Sequence, residues 1–79
     1  FAIAFYDESA VWVRERQWAA DQEIEETDDG VVIRFSSTQY HKVLEWVLSR
    51  GCTAQPLAPE ALVNDWKRHA AEMGRMAKK

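Results

Sequence analysis

Asp21-Gln-Glu-Ile-Glu-Glu-Thr-Asp-Asp-Gly-Val-Val-Ile-Arg-Phe35 opens with six acids in nine residues, reaches an Asp-Gly pair, and turns abruptly apolar. An acid block of this density is either a solvated tail or an exposed strand. The residues after the block favour the strand. Asp29-Gly30 is a two-residue hairpin signal, because Gly accepts positive φ freely and Asp tolerates it. With those two residues at the tip, Asp28 faces Val31, Glu25 faces Arg34 and Ile24 faces Phe35. Ile24, Ile33 and Phe35 then share one face. Glu25 and Arg34 form an opposite-charge pair on the other face, worth about 0.2–1 kcal/mol. A one-residue slip would lose both matches.

Outward from this hairpin, the chain supplies three helices and two more strands. Phe1-Ala-Ile-Ala-Phe-Tyr6 is apolar on both faces, with Phe1, Ile3 and Phe5 opposite Ala2, Ala4 and Tyr6. Two-sided apolar strands are central in their sheets. Asp7 offers an N-cap to a helix reaching about Arg16, with Ala10 and Val13 on one face. In SSTQYHKVLEWVLSRG, residues Tyr40, Val43, Leu44, Val47 and Leu48 follow helical periodicity. Ser36 or Ser37 is its expected cap, Ser36 with Gln39 has capping-box spacing, and Gly51 stands at C′. Cys52 to Leu57 has the length of a short strand, and Pro56 confines that strand to a sheet edge. Pro59 is expected at the first position of a last helix, whose apolar stripe is Leu62, Trp66, Ala70, Met73 and Ala77.

The order strand, helix, strand, strand, helix, strand, helix predicts an α+β fold. It is a ferredoxin-like βαββαβ plan with an additional C-terminal helix and a four-stranded antiparallel sheet. The first and third strands are expected at the centre. Residues 1–79 read as one domain, too short for two. The chain starts at Phe1 within a strand and without an initiator Met, which is the pattern of a fragment of a longer protein.

Composition narrows the functional classes. The net charge of −3 argues against an autonomous nucleic-acid binder. One cysteine excludes an internal disulfide framework and fits a reducing, cytoplasmic setting. No apolar run approaches the roughly 20 residues that span a bilayer, so no membrane partner is expected. Cys52 as a nucleophile would need a base within reach. His41 and His69 are not evident partners, so Cys52 is expected as a small packed strand residue. Nor do the two histidines and Cys52 have zinc-ligand spacing. Neither catalysis nor a cofactor or metal is expected. Four tryptophans, at 12, 18, 46 and 66, either cover hydrophobic contacts or mark an interface; Trp66 lies on its helix stripe, whereas Trp46 lies off its own. Lys67, Arg68, Arg75, Lys78 and Lys79 against Glu72 make the last helix basic. That charge reads as a solvated helix end, or as a surface for phosphates or a partner domain. The helix-free sheet face is expected to show Ala2, Ala4, Tyr6, Val32, Arg34 and Glu25. It lacks the paired aromatics of RNA-recognition sheets.

Three motifs carry a family resemblance across all 79 residues. Trp18-Ala-Ala-Asp-Gln22 leads into the Asp-Gly hairpin. Leu44-Glu-Trp-Val-Leu-Ser-Arg-Gly51 ends the middle helix. Leu57-Ala-Pro-Glu-Ala-Leu62 passes from strand to helix. In order and spacing the chain resembles the C-terminal extension (WCX) domain of bacterial WYL-domain transcriptional regulators. It departs at Ala19, where His is common, and at Pro56, where a β-branched residue is usual. The resemblance implies a parent that binds DNA through a separate N-terminal winged helix-turn-helix and senses a nucleotide or single-stranded DNA effector. This domain would contribute homodimer contacts and assist the sensing. Arg14, Arg16, Trp18, Gln22 and Arg34 are the expected contacts for a ligand or neighbouring domain. The alternative is a small-molecule regulatory domain of ACT-like plan, with an amino acid bound at a dimer interface.

Overall fold

The computed structural model describes residues 1–78. The hairpin at its decisive stretch forms, with a shifted tip. Strand β2 (Glu23–Thr27) pairs antiparallel with β3 (Gly30–Arg34) so that Ile24 faces Ile33, Glu25 faces Val32 and Thr27 faces Gly30. The turn is therefore Asp28-Asp29, one residue earlier than the sequence predicts. Gly30 is the cause. It is the first residue of β3, opposite Tyr6, and a Cβ there would collide with the carbonyl oxygen of Phe5. The glycine is needed for close backbone approach, not for positive φ. Moving the tip by one residue shifts each pairing by two, so every side chain keeps its face. The Glu25–Arg34 ion pair also survives as a diagonal contact, 2.6 Å from Arg34 Nη1 to Glu25 Oε1.

The remaining elements are β1 (Ala2–Tyr6), α1 (Asp7–Arg14), α2 (Tyr40–Ser49), β4 (Ala54–Ala58) and α3 (Glu60–Ala77), with a 3-10 turn at Gly51–Thr53. The sheet order is β2-β3-β1-β4, all antiparallel. This is the ferredoxin-like arrangement with an added C-terminal helix. Hydrophobic β1 and β3 are central. The acid-rich β2 and the Pro56-bearing β4 are edges, where a missing ladder donor or a row of charges costs least.

Parity assigns Ile3, Phe5, Val31, Ile33 and Ala54 to the helix-backed face. There they form one core with Ala10 and Val13 of α1, Val43, Leu44 and Val47 of α2, and Leu62 of α3. Burial of each large side chain contributes about 1.5–3 kcal/mol.

Several local expectations are corrected. Asp7 does not cap α1 through its side chain; it is the first helical residue, at φ +54°, in the left-handed region that Asp tolerates better than most. α2 starts at Tyr40 without a side-chain cap. Ser37 Oγ instead accepts from Gln39 N–H at 3.0 Å, and Ser36 N–H donates to the Asp21 carboxylate. Pro59 is the N-cap of α3 rather than its first helical residue. Gly51 does stand just past α2, at φ +59°. Cys52 is not a packed strand residue: it lies exposed in the 3-10 turn, and β4 begins only at Ala54. The αL exit at Gly51 continues as one tight turn before the chain can extend.

The face without helices is also less open than its sequence implies. Ala4 and Val32 are only 4% and 7% exposed. Arg34 reaches Glu25 above them, and Tyr6 Oη donates to Gln55 Oε1 at 2.9 Å across β1 and β4. Longer side chains thus roof the small ones.

Candidate functional site

Trp12, Trp18 and Trp46 come from α1, the loop after it and α2, and all meet over Phe5. Ring centroids are 4.5 Å apart for Trp12–Trp18, 5.0 Å for Trp18–Trp46 and 5.1 Å for Phe5–Trp46. Phe35 extends the cluster at 5.8 Å from Trp46 and stacks on Phe1 at 5.5 Å. Offset and tilted pairs at these distances add about 0.5–1.5 kcal/mol each beyond area burial. Trp46 lies off the narrow stripe of α2 because the 15–22 loop folds over that helix and widens its buried arc. Its Nε1 is buried without a hydrogen-bond partner, whereas Trp18 Nε1 donates to the Val13 carbonyl at 3.1 Å.

A polar ring closes the other end of the cluster. Arg50 lies 4.0 Å over the Trp12 ring and donates from Nε to Ser9 Oγ at 3.0 Å. Ser9 donates to Thr53 Oγ1, and Thr53 returns a bond to the Arg50 carbonyl. Ser9 is fully buried, so this closed circuit satisfies a hydroxyl that would otherwise be costly.

The expected contact residues fall into two places. Arg14, Arg16, Trp18 and Gln22 share the corner formed by α1 and its loop; Arg34 is on the roofed sheet face. Gln22 holds the loop, accepting from Trp18 N–H and Ala19 N–H and donating to the Arg16 carbonyl. Arg14 makes a bidentate pair with Glu26, which raises the guanidinium pKa and lowers that of the carboxylate. Arg16 lies over the Trp18 ring at 5.8 Å and has no carboxylate partner among the described residues.

Two concavities flank this framework. One is an aromatic groove of about 270 Å³ with Trp18, Phe35, Val43 and Trp46 as walls and Gln39 and Lys42 at its rim. The other is an apolar crevice of about 290 Å³ between the end of α2 and α3, lined by Leu48, Gly51, Cys52, Trp66, Ala70 and Met73. Sequence reasoning finds neither this crevice nor the exposure of Met73 and Met76, at 50% and 68%. A signal for it exists: only Leu62 of the predicted α3 stripe is buried, and the stripe continues past the domain body. Tyr40 links α2 to that helix by donating to Asp65 at 2.6 Å, which raises the phenol pKa. Of the basic tail residues, Lys79 lies outside the described residues. No group of three His, Cys, Asp or Glu among the described residues is placed to hold a metal, and no helix among them is long and apolar enough to cross a membrane.

The sheet order, the Trp18–Gln22 loop staple and the Gly51 helix exit place all three sequence motifs at structural junctions. A family model for the WCX domain matches residues 1–74. The chain belongs to the WCX domain family. Comparison with curated proteins and with solved structures found no match. A WCX domain is a C-terminal domain of WYL-type transcriptional regulators, and its motifs here build the frame: Gln22 fastens a loop, and Gly51 turns the chain.

Proposed function

We propose that this WCX domain is the regulatory and dimerisation module of a DNA-binding regulator whose base-reading element is a separate domain. It joins two copies of the parent and assists the sensing of a nucleotide or single-stranded DNA effector. One observation carries the dimerisation half: the apolar stripe of α3 continues beyond its own core, leaving Met73 half exposed beside a preformed apolar crevice. Exposed apolar side chains flanking such a concavity are interface material. The roofed sheet face, by contrast, offers no comparable apolar area. The aromatic groove bordered by Lys42 supports the sensing half, since planar rings and one cation suit a base and its phosphate.

The test is sedimentation equilibrium of the 79-residue chain across a wide concentration range. The expected result is a reversible monomer–dimer equilibrium that Met73→Glu abolishes without lowering thermal stability. A wild-type chain that stays monomeric throughout rejects dimerisation. For sensing, a thermal shift with short single-stranded DNA that is lost in Lys42→Glu is expected; no shift with any nucleotide or strand rejects it.

A further inference from the structure

The exposed stripe of α3 has a spacing that specifies more than stickiness. With Leu62 taken by the core, its neighbour Val63 heads the remaining apolar line, and Val63, Trp66, Ala70, Met73 and Ala77 are separated by three, four, three and four residues. That is the alternation by which one helix seats against another along a seam. The helix is 18 residues, about 27 Å at 1.5 Å per residue. Val63 and Trp66 are partly covered by the domain, whereas Ala70, Met73 and Ala77 are exposed. Half of a two-heptad seam is therefore without a partner.

Charge along the same helix sets a direction. Asp65 is paired with Arg68 and Glu72 with Arg75 within the helix. Among its described residues, Glu60 in the first turn and Lys78 after the last, with Lys67 between them, are thus left without an ion-pair partner. Glu60 and Lys78 are eighteen residues apart, five whole turns, so they occupy one flank of the seam. A second copy laid parallel would carry this flank to the opposite side of the seam, leaving Glu60 and Lys78 without each other. Laid antiparallel, it sets Glu60 beside Lys78 at both ends and opposes the two helix dipoles favourably. The same alignment brings Met73 against Trp66 of the other copy, a sulfur–aromatic contact at the mouth of the crevice. Ala70 falls next to the two-fold axis, where a small side chain permits close approach.

We infer that two copies of this chain pair through α3 in antiparallel orientation, with Met73 of each against Trp66 of the other and Glu60 against Lys78 at both ends. This rests on the dimerisation proposed above and names its surface and register. The seam is short of the roughly 800 Å² per partner of a standard interface, so the pairing is concentration-dependent.

The experiment measures dimer dissociation by analytical ultracentrifugation for Glu60→Lys, Lys78→Glu and the double variant. Each single variant is expected to weaken the dimer about three- to ten-fold, and the double to restore it, as for paired surface charges present twice. The double variant is the worst of the three for the helix dipole, so restoration cannot come from helix stability. Cross-linking supplies a second reading. In a Cys52→Ser background, Ala70→Cys is expected to give an interchain disulfide on mild oxidation, while Glu72→Cys, on the far side of the helix, does not. A dimer insensitive to both charge reversals and not trapped by Ala70→Cys overturns this pairing while leaving dimerisation standing. A wild-type chain that is monomeric at every concentration overturns both.

Discussion

Gly30→Ala tests the register on which the sheet depends. The added methyl would collide with the carbonyl oxygen of Phe5, a central-strand backbone atom that no rotamer change can move. β1 and β3 must part locally. Overpacking of this kind costs about 1–3 kcal/mol, and weakening one or two buried ladder hydrogen bonds adds about 1 kcal/mol each. Together these give a loss of about 3 kcal/mol. Domains of this length hold about 4–12 kcal/mol in total, and each kcal/mol moves Tm by about 4–8 °C, so Tm should fall by about 12–24 °C. Urea unfolding followed by tryptophan fluorescence measures it directly, since three of the four indoles sit in one cluster above Phe5. Gly30→Asn separates the two roles of the glycine. Asn tolerates the positive φ of a hairpin tip but has the same colliding Cβ, so it should be as damaging as Ala. An Asn variant within about 1 kcal/mol of wild type would return Gly30 to the turn and refute the register.

The other two glycines should behave differently. A Cβ meets nothing at either position. Gly51→Ala should cost about 1–2 kcal/mol for the left-handed backbone alone, whereas Gly74→Ala, in the interior of α3, should raise Tm through helix propensity worth about 1 kcal/mol. Trp18→Phe should destabilise more than Trp46→Phe, because only the first strips a hydrogen bond from a carbonyl, here that of Val13; denaturant midpoints of the two variants decide it. Acid should weaken the fold through Asp21 and Glu26. Hydrogen bonds from Ser36 and from Arg14 lower their carboxylate pKa values. Their stabilisation is thus complete above the ordinary carboxylate pKa and lost as pH falls through the depressed one; the Asp21→Asn, Glu26→Gln double variant should show a flatter acid limb. Tyr40 has the opposite sign. Its raised pKa keeps the bond to Asp65 intact below the ordinary phenol value and loses it as pH rises beyond, so Tyr40→Phe should remove an alkaline component of unfolding.

The architecture is legible in the sequence because independent local signals agree. Two-sided apolarity in residues 1–6, the acid run and Pro56 each assign a strand to the centre or to an edge, and once the Asp-Gly hairpin pairs the second strand with the third, only one order satisfies them all. The exact turn is not legible, because Asp-Gly has two physical explanations, positive φ or backbone crowding, and only the second involves a strand remote in sequence. Cys52 escapes for a related reason: after Gly51 the chain could extend at once or turn once more, and residues 52–53 give no period to decide. At the candidate site, Gln22 and Trp18 are visible as a motif, but their use in fastening a loop depends on hydrogen bonds that spacing alone does not encode. Trp46 shows the same limit, since a buried arc widened by a loop is invisible in helical periodicity. The α3 stripe is fully legible as a pattern. How far it outruns its own core depends on how much of the helix the sheet and α2 can reach.

Pro56 and the carboxylates of β2 bear on how neighbouring molecules can meet. A strand arriving at one margin finds a missing donor; at the other it finds a row of negative charge. Continuous backbone zippering between molecules, the route to fibres, is closed in both directions. Contact is left to side chains alone, which can part as readily as they join, and a crowded solution of this domain should stay clear.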